Sequence, residues 1–168
     1  MAKTVVLYAR ICPQESIHTK HLFQSFQKHT DFECVFIDAS KPFDVAKEQE
    51  FILGFDNIIL LFTMNWYNIP WSLSRYFAEV WRTFPFSLEN KNVYKVVTTG
   101  SNKEHYSKTG EKATGWLPTE FLNNVNGMLK KLRANQKEEF FYHNCVEVNE
   151  QKLQAFSDQV ITFFKDVK

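Results

Sequence analysis

Residues Asn57 to Phe62 read Asn-Ile-Ile-Leu-Leu-Phe, an apolar run of strand length with no polar alternation. Such a run is satisfied only where both faces of the strand are covered, so it predicts a central strand with helices on either side. The chain then breaks into Thr63-Met64-Asn65-Trp66-Tyr67-Asn68 and resumes at Ile69-Pro70 as a helical pattern. Ile69, Leu73, Tyr76, Phe77, Val80 and Phe84 fall on one stripe of that helix. Strand, tight aromatic turn and helix N-terminus, all between Asp56 and Pro85, make a place for a flat, anionic ligand.

Other segments repeat this alternation. Val5–Ala9 is a short apolar run followed by the proline-containing loop Arg10–Ser16, and Ser16 is placed to cap a helix carrying Leu22, Phe23 and Phe26 inward. Cys34–Ile37 is the second strand, with a turn at Asp38–Pro42, a short helix over Val45–Leu53 and Gly54 as its stop. Asn68 is expected to cap the helix after the aromatic turn, with Pro70 in its first turn. Val93–Thr98 is a fourth strand interrupted by Lys95, and the polar stretch Gly100–Pro118 is too long for a plain connector. Thr119 is expected to cap a helix bearing Phe121, Val125, Met128, Leu129 and Leu132. Phe140–Val148 reads as the fifth strand and Glu150–Val167 as the last helix.

At 168 residues, with no repeat or linker, the expectation is one domain over residues 1–168. The βα alternation predicts an α/β three-layer sandwich with a five-stranded parallel sheet in the flavodoxin-like order 2-1-3-4-5 and helices on both faces. Ligands of such sheets bind beyond the strand C-termini, which draws attention to three loops: Arg10–Ser16, Thr63–Asn68 and Gly100–Pro118.

Composition narrows the function. A net charge of +1, with both signs mixed along the chain, offers no basic face for a phosphate backbone, so nucleic acid is not an expected partner. No run reaches the roughly 18–20 apolar residues that span a bilayer, and the first residues lack a signal-peptide core. Cys12, Cys34 and Cys145 are odd in number and far apart, against a disulfide framework. The expected setting is cytoplasmic.

The loops carry the chemistry. In the first, free N–H groups at a helix start, the hydroxyls of Ser16 and Thr19 and the charge of Arg10 or His18 would suit an anion, although a plain N-cap is the simpler reading. Glycine-rich phosphate cradles are absent, against a nucleoside triphosphatase. In the second, Met64, Trp66 and Tyr67 stand where turns favour Gly, Asn, Asp, Pro and Ser. They are equally a ring-stacking wall and an aromatic plug between helix and sheet. In the third, Thr98-Thr99-Gly100-Ser101 leaves a strand with hydroxyls and one glycine, and Tyr106 follows six residues after Gly100. His18 and His21 have no third ligand beside them, so no metal is expected, and no Gly-x-Ser-x-Gly elbow supports a hydrolase.

The stretch Leu60–Trp81, LLFTMNWYNIPWSLSRYFAEVW, resembles the flavodoxin-like NAD(P)H:quinone oxidoreductases, in which a strand precedes Pro-[Met/Leu]-x-Trp-[Tyr/Phe]-x-x-Pro and a helix. Met64, Trp66, Tyr67, Pro70, Leu73, Phe77 and Val80 keep that register. The segment from Thr98 resembles the family's Thr-Thr-Gly-Gly, with a tyrosine at matching distance, and the first loop its His-Pro…Ser. The resemblance implies FMN, with FAD as the alternative flavin, and NAD(P)H as co-substrate. Ser16 with His18 or Thr19 would face the phosphate, and Arg10 would lie beside it. Met64, Asn65, Trp66 and Tyr67 would line the isoalloxazine, and Thr99, Gly100 and Ser101 its polar edge. Tyr106 would be the catalytic hydroxyl, in ping-pong hydride transfer to a quinone-like acceptor. It further implies a homodimer. Departures from the family pattern stand at Arg10 for histidine, Thr63 for proline, Ser74, Tyr76 and Ala78 for Lys, Trp and Asp, Ser101 for glycine, and Lys112 for a second catalytic histidine. The alternative is a flavin-binding regulatory subunit that resembles potassium-efflux ancillary proteins, and a one-electron flavodoxin carrier is a weaker third.

Overall fold

The computed structural model describes residues 2–10 and 16–166. Five parallel strands, β1 (Thr4–Ala9), β2 (Glu33–Phe36), β3 (Asn57–Met64), β4 (Asn92–Thr99) and β5 (Asn135–Tyr142), lie in the order β2-β1-β3-β4-β5. The helices are α1 (Ile17–His29), α2 (Val45–Leu53), α3 (Trp71–Tyr76), α4 (Asn123–Lys131) and α5 (Glu150–Asp166). This is the expected three-layer flavodoxin-like sandwich. The expected Arg10–Ser16 loop, with Cys12 and Pro13, and the helix end at Val167 lie outside the described residues, apart from Arg10 and Ser16 themselves.

Strand periodicity divides the core into two layers. Val6, Tyr8, Ile59, Leu61, Tyr94 and Val96 pack with Leu22 and Phe26 of α1 and with Leu153, Val160 and Phe164 of α5. Their strand neighbours Val5, Leu7, Ile58, Leu60, Phe62 and Val97 pack with Ile52 of α2, Leu73 of α3 and Leu129 of α4. Both faces of β3 are therefore covered, as its unbroken apolar run requires. Lys95, which interrupts β4, is 1% exposed and places Nζ 2.7 Å from Glu139 Oε1 on β5. It is a buried ion pair across the sheet, with the lysine stem packed among apolar groups.

Several boundaries differ from expectation. β5 ends at Tyr142, not Val148, and begins in the polar run Asn135–Glu139. As an edge strand it needs little apolar content, and residues 143–148 leave the sheet to fold over the end of β4. The stripe expected to run to Phe84 ends at Trp81. α3 passes into a π-helical turn, Phe77–Trp81, whose wider winding turns the later residues away, leaving Phe84 91% exposed and Trp81 buried. Gln49 Nε2 donates to the freed Val80 and Thr83 carbonyls, both at 2.7 Å. Asn68 does not cap α3; Pro70 holds that position without a side-chain bond. Thr119 likewise makes no side-chain cap bond: it stands at the N-cap of a 3-10 turn, Glu120–Leu122, and Leu122 holds that position for α4. Gly54 follows α2 with an ordinary right-handed φ of −70°, so its freedom is not used there.

Candidate functional site

The C-terminal ends of β1, β3 and β4 meet the start of α1 in a cluster of hydroxyls. Ser16 caps α1, its Oγ accepting from Thr19 N at 3.3 Å. Thr63 Oγ1 lies 2.9 Å from Thr98 Oγ1 and 3.4 Å from Ser16 Oγ, and Thr19 Oγ1 is 3.5 Å from both Thr63 Oγ1 and the Tyr8 hydroxyl. Thr63 is the center of this ladder, a role invisible when it is read only as a missing proline. A proline there would carry no hydroxyl.

The charges expected beside α1 have other contacts. The Arg10 guanidinium sits 4.7 Å from the centroid of the Phe36 ring on β2, while its carbonyl accepts from Ser72 Oγ at 2.6 Å. His18 is buried in the first turn of α1, its ring 5.5 Å from that of Tyr142, with Nε2 unpartnered. Burial holds its pKa below the ordinary value, the Glu147 backbone opposing and His21 assisting, so His18 is neutral near pH 7.

The aromatic turn has an unusual backbone. Asn65 N donates to Asn68 O at 2.7 Å and Asn68 N returns the bond to Asn65 O at 2.9 Å. Between them Trp66 and Tyr67 have φ of 45° and 62°. This is a type I′ arrangement, which normally calls for Asn-Gly. Two bulky residues held there are a local strain of the kind kept at functional sites. The turn is both wall and plug: Tyr67 packs on Phe121 at 4.8 Å and on Tyr106 at 5.5 Å, whereas Trp66 is 88% exposed at the rim.

Facing this turn is the third loop. Gly100 leaves β4 with open space where a Cβ would stand. Tyr106 ends a 3-10 turn, Lys103–Tyr106, and is buried. Burial pushes its phenol pKa up, against a smaller opposing pull from the Thr99 side chain, so it keeps its proton at neutral pH. The rest of the loop is tied down: Thr114 Oγ1 donates to His105 O at 2.6 Å, Lys108 pairs with Glu120 and Lys112 pairs with Glu104 on the surface. Lys112 is thus a surface ion-pair partner.

Met64, Asn65, Trp66, Tyr67, Gly100, Ser101 and Tyr106 line one cavity of about 230 Å³, together with Val146. The structure therefore gathers seven of the sequence-predicted residues at one sheet edge. Thr99 stands just behind Gly100, fully buried. Ser16 and Thr19 belong to the neighboring hydroxyl ladder, and Arg10 and His18 are not among the residues that line this cavity. A larger apolar groove of about 560 Å³, between the π-helical turn and α4, lies outside this convergence of polar loops.

Sequence reasoning missed the segment after β5. Asn144 N donates to Ser101 O at 3.0 Å, Cys145 N donates to Thr99 O at 2.9 Å, and His143 Nδ1 is 2.8 Å from Thr99 Oγ1. Reading this stretch as strand hid it, and no local signal links residues so distant in sequence.

The sequence matches a known family, described as having a flavodoxin-like fold, over residues 2–163. The chain belongs to the flavodoxin-like fold family. Solved structures with this fold include the general stress protein 14 of Treponema denticola in complex with FMN, at 24% identity, with 99% of each chain covered and a TM-score of 0.86. An NADPH-quinone reductase from P. pentosaceus is similar at 19% identity, 99% of each chain and a TM-score of 0.85. An NAD(P)H:quinone oxidoreductase from Methanothermobacter marburgensis is similar at 13% identity, over 99% of this chain and 100% of that one, with a TM-score of 0.72. No curated protein sequence matches the chain. Among the described residues of this flavodoxin-like chain, no helix is long and apolar enough to cross a membrane.

Proposed function

We propose that this protein is an FMN-dependent oxidoreductase that passes hydride from NAD(P)H to a quinone-like two-electron acceptor by a ping-pong route. The observation that carries the reading is the convergence of the Met64–Tyr67 turn, Gly100–Ser101 and Tyr106 on one cavity at the strand C-termini. The residues present fit the flavin. Gly100 opens onto free space, the walls are flat aromatic and thioether surfaces, and the adjoining part-buried hydroxyls of Ser16 and Thr63, backed by the buried Thr19, suit a polyol and phosphate. Bound FMN would supply a ring that accepts hydride from one substrate and releases it to the next in the same place.

The chain's own residues have distinct tasks. Trp66 and Tyr67, carried on the turn that the Asn65–Asn68 backbone pair closes, would offer aromatic surface to the ring. Gly100 and Ser101, backed by Thr99, would bring backbone groups and the Ser101 hydroxyl to the polar ring edge, where donors stabilise developing negative charge. Tyr106 retains its proton at the phenolic oxygen and offers it beside the acceptor. The fold relatives named as quinone reductases, and the one solved with FMN, support this reading. We further propose a cytoplasmic homodimer of single-domain chains.

The test is direct. The purified protein should take up FMN, lose its yellow color when mixed anaerobically with NADH or NADPH, and regain it on adding a quinone. Tyr106→Phe should lower turnover about 10²-fold or more with little change in FMN affinity. A protein that takes up no flavin overturns the proposal, and one that binds flavin without bleaching is a binding module.

A further inference from the structure

The segment His143–Val146 packs against the Thr99–Ser101 turn, where the Thr99 hydroxyl has two further partners besides the Tyr106 phenol, and their chemistry sets a polarity when both bonds form. Thr99 Oγ1 lies 3.1 Å from Ser101 O and 2.8 Å from His143 Nδ1. A carbonyl only accepts, so a hydroxyl bonded to Ser101 O commits its single proton there and meets the imidazole with a lone pair. Both bonds form together only if the imidazole proton is on Nδ1. Neutral histidine in water prefers the Nε2–H form, so the protein would be imposing the less favored tautomer.

The surroundings hold the ring in this pose. Phe141 lies parallel to it, with an interplanar angle of 7° and centroids 6.1 Å apart, and Tyr106 packs on it at 5.1 Å. Asn144 N and Cys145 N bond to Ser101 O and Thr99 O, so the turn is clamped by backbone on both sides of the side-chain contact. Among the described groups, the ring faces Lys103 and the Tyr106 phenol from the 3-10 turn and hydroxyls from β4. On its own segment stands the Cys145 thiol, pushed up by burial to about 11 and therefore neutral. Burial, with Lys103 assisting, lowers the His143 pKa, so near pH 7 the ring has one proton to place.

We propose that His143 is a positioning residue: its Nδ1–H holds the Thr99 hydroxyl, and through it the Thr99–Ser101 turn, in the arrangement that receives the edge of the ring. The role rests on the flavin reading above, but the contact itself is tested without flavin. His143 is outside the lining of the cavity, so it acts through Thr99 and not on a substrate.

Two measurements test it. In ¹⁵N-labeled protein free of flavin at pH 7.5, imidazole two-bond correlations should show His143 as Nδ1–H, and Thr99→Val should return it to Nε2–H. An Nε2–H signal in the unsubstituted protein overturns the proposal, whatever the protein does with FMN. The second measurement is FMN titration of two variants that separate the donor from the packing. His143→Asn keeps an N–H near the Nδ1 position, whereas His143→Phe keeps the ring stack and removes the donor. FMN affinity should stay within about threefold for His143→Asn and fall about tenfold for His143→Phe, the loss expected of one part-buried hydrogen bond. Equal affinities in both variants overturn it. If the unsubstituted protein takes up no FMN, the flavin reading fails, and the tautomer still decides whether His143 holds the turn.

Discussion

Trp66→Gly isolates the cost of the aromatic turn. Trp66 sits at φ 45° in the first central position of the Asn65–Asn68 turn. A left-handed conformation costs a residue with a Cβ roughly 1–2 kcal/mol, which glycine does not incur. Against that gain stands the entropy glycine loses on folding, about 0.5–1 kcal/mol. The ring's burial is also lost, but Trp66 is 88% exposed. The covered part of an aromatic side chain of up to ~250 Å² is then about 30 Å², worth about 0.7 kcal/mol. These contributions nearly cancel, so Trp66→Gly should stay within about 1 kcal/mol of the unsubstituted protein. Its melting temperature should move by no more than about 4 °C in either direction. Trp81→Ala, with the same ring 1% exposed in the core, should by contrast lose about 3–5 kcal/mol. Urea unfolding of the flavin-free protein measures both. On the same Trp66→Gly sample, FMN affinity should fall severalfold, because a face of the cavity is gone. A loss above about 2 kcal/mol in Trp66→Gly would refute the argument, since the ring would then be packing the turn together and not sitting strained at its rim.

Other predictions follow from the same geometry. Replacing both partners, Lys95→Met with Glu139→Leu, should be neutral or stabilising, because no buried charge is left unpaired, whereas Glu139→Ala alone strands the ammonium and should cost about 3–5 kcal/mol in urea unfolding. Gly100→Val should leave the unfolding midpoint nearly unchanged, since a Cβ there meets nothing within 4 Å, yet it should abolish FMN uptake by filling the cavity; retained uptake would remove the third loop from the site. His18 and His143 both have folded pKa values below the unfolded value of 6.5. The unfolded chain therefore binds more protons, and stability is full above pH 6.5 and falls as pH drops through the lower folded values. Urea midpoints at pH 7.5 and 5.5 should show this, and His18→Gln should flatten part of the difference.

Fold and site were not equally legible in the sequence. The unbroken run in β3 and the amphipathic stripes of α1 and α5 report burial directly, so strand count and order could be argued from pattern alone. Failures came where tertiary contacts override local preference. Asn135–Glu139 looks like loop, but it pairs with β4 because an edge strand can be polar. Phe84 fits a helical stripe, but the π-helical turn shifts the phase before the chain reaches it. Lys95 looks like an interruption until Glu139 is placed opposite it.

The same division holds at the site. Met64, Trp66, Tyr67, Gly100 and Tyr106 stand out by residue type in two stretches of the sequence. Which way Arg10 and His18 point, and that Thr63 joins the hydroxyls of Ser16, Thr19 and Thr98, depended on the packing of α1 against the sheet. What the residue order alone determined was the sandwich and the loops at the C-terminal edge of its sheet, because periodicity is a local record of which faces are buried. What only the tertiary structure decided was the contact between His143 and Thr99. Those residues lie 44 positions apart, and nothing local in either segment records the partner that the folded sheet brings to it.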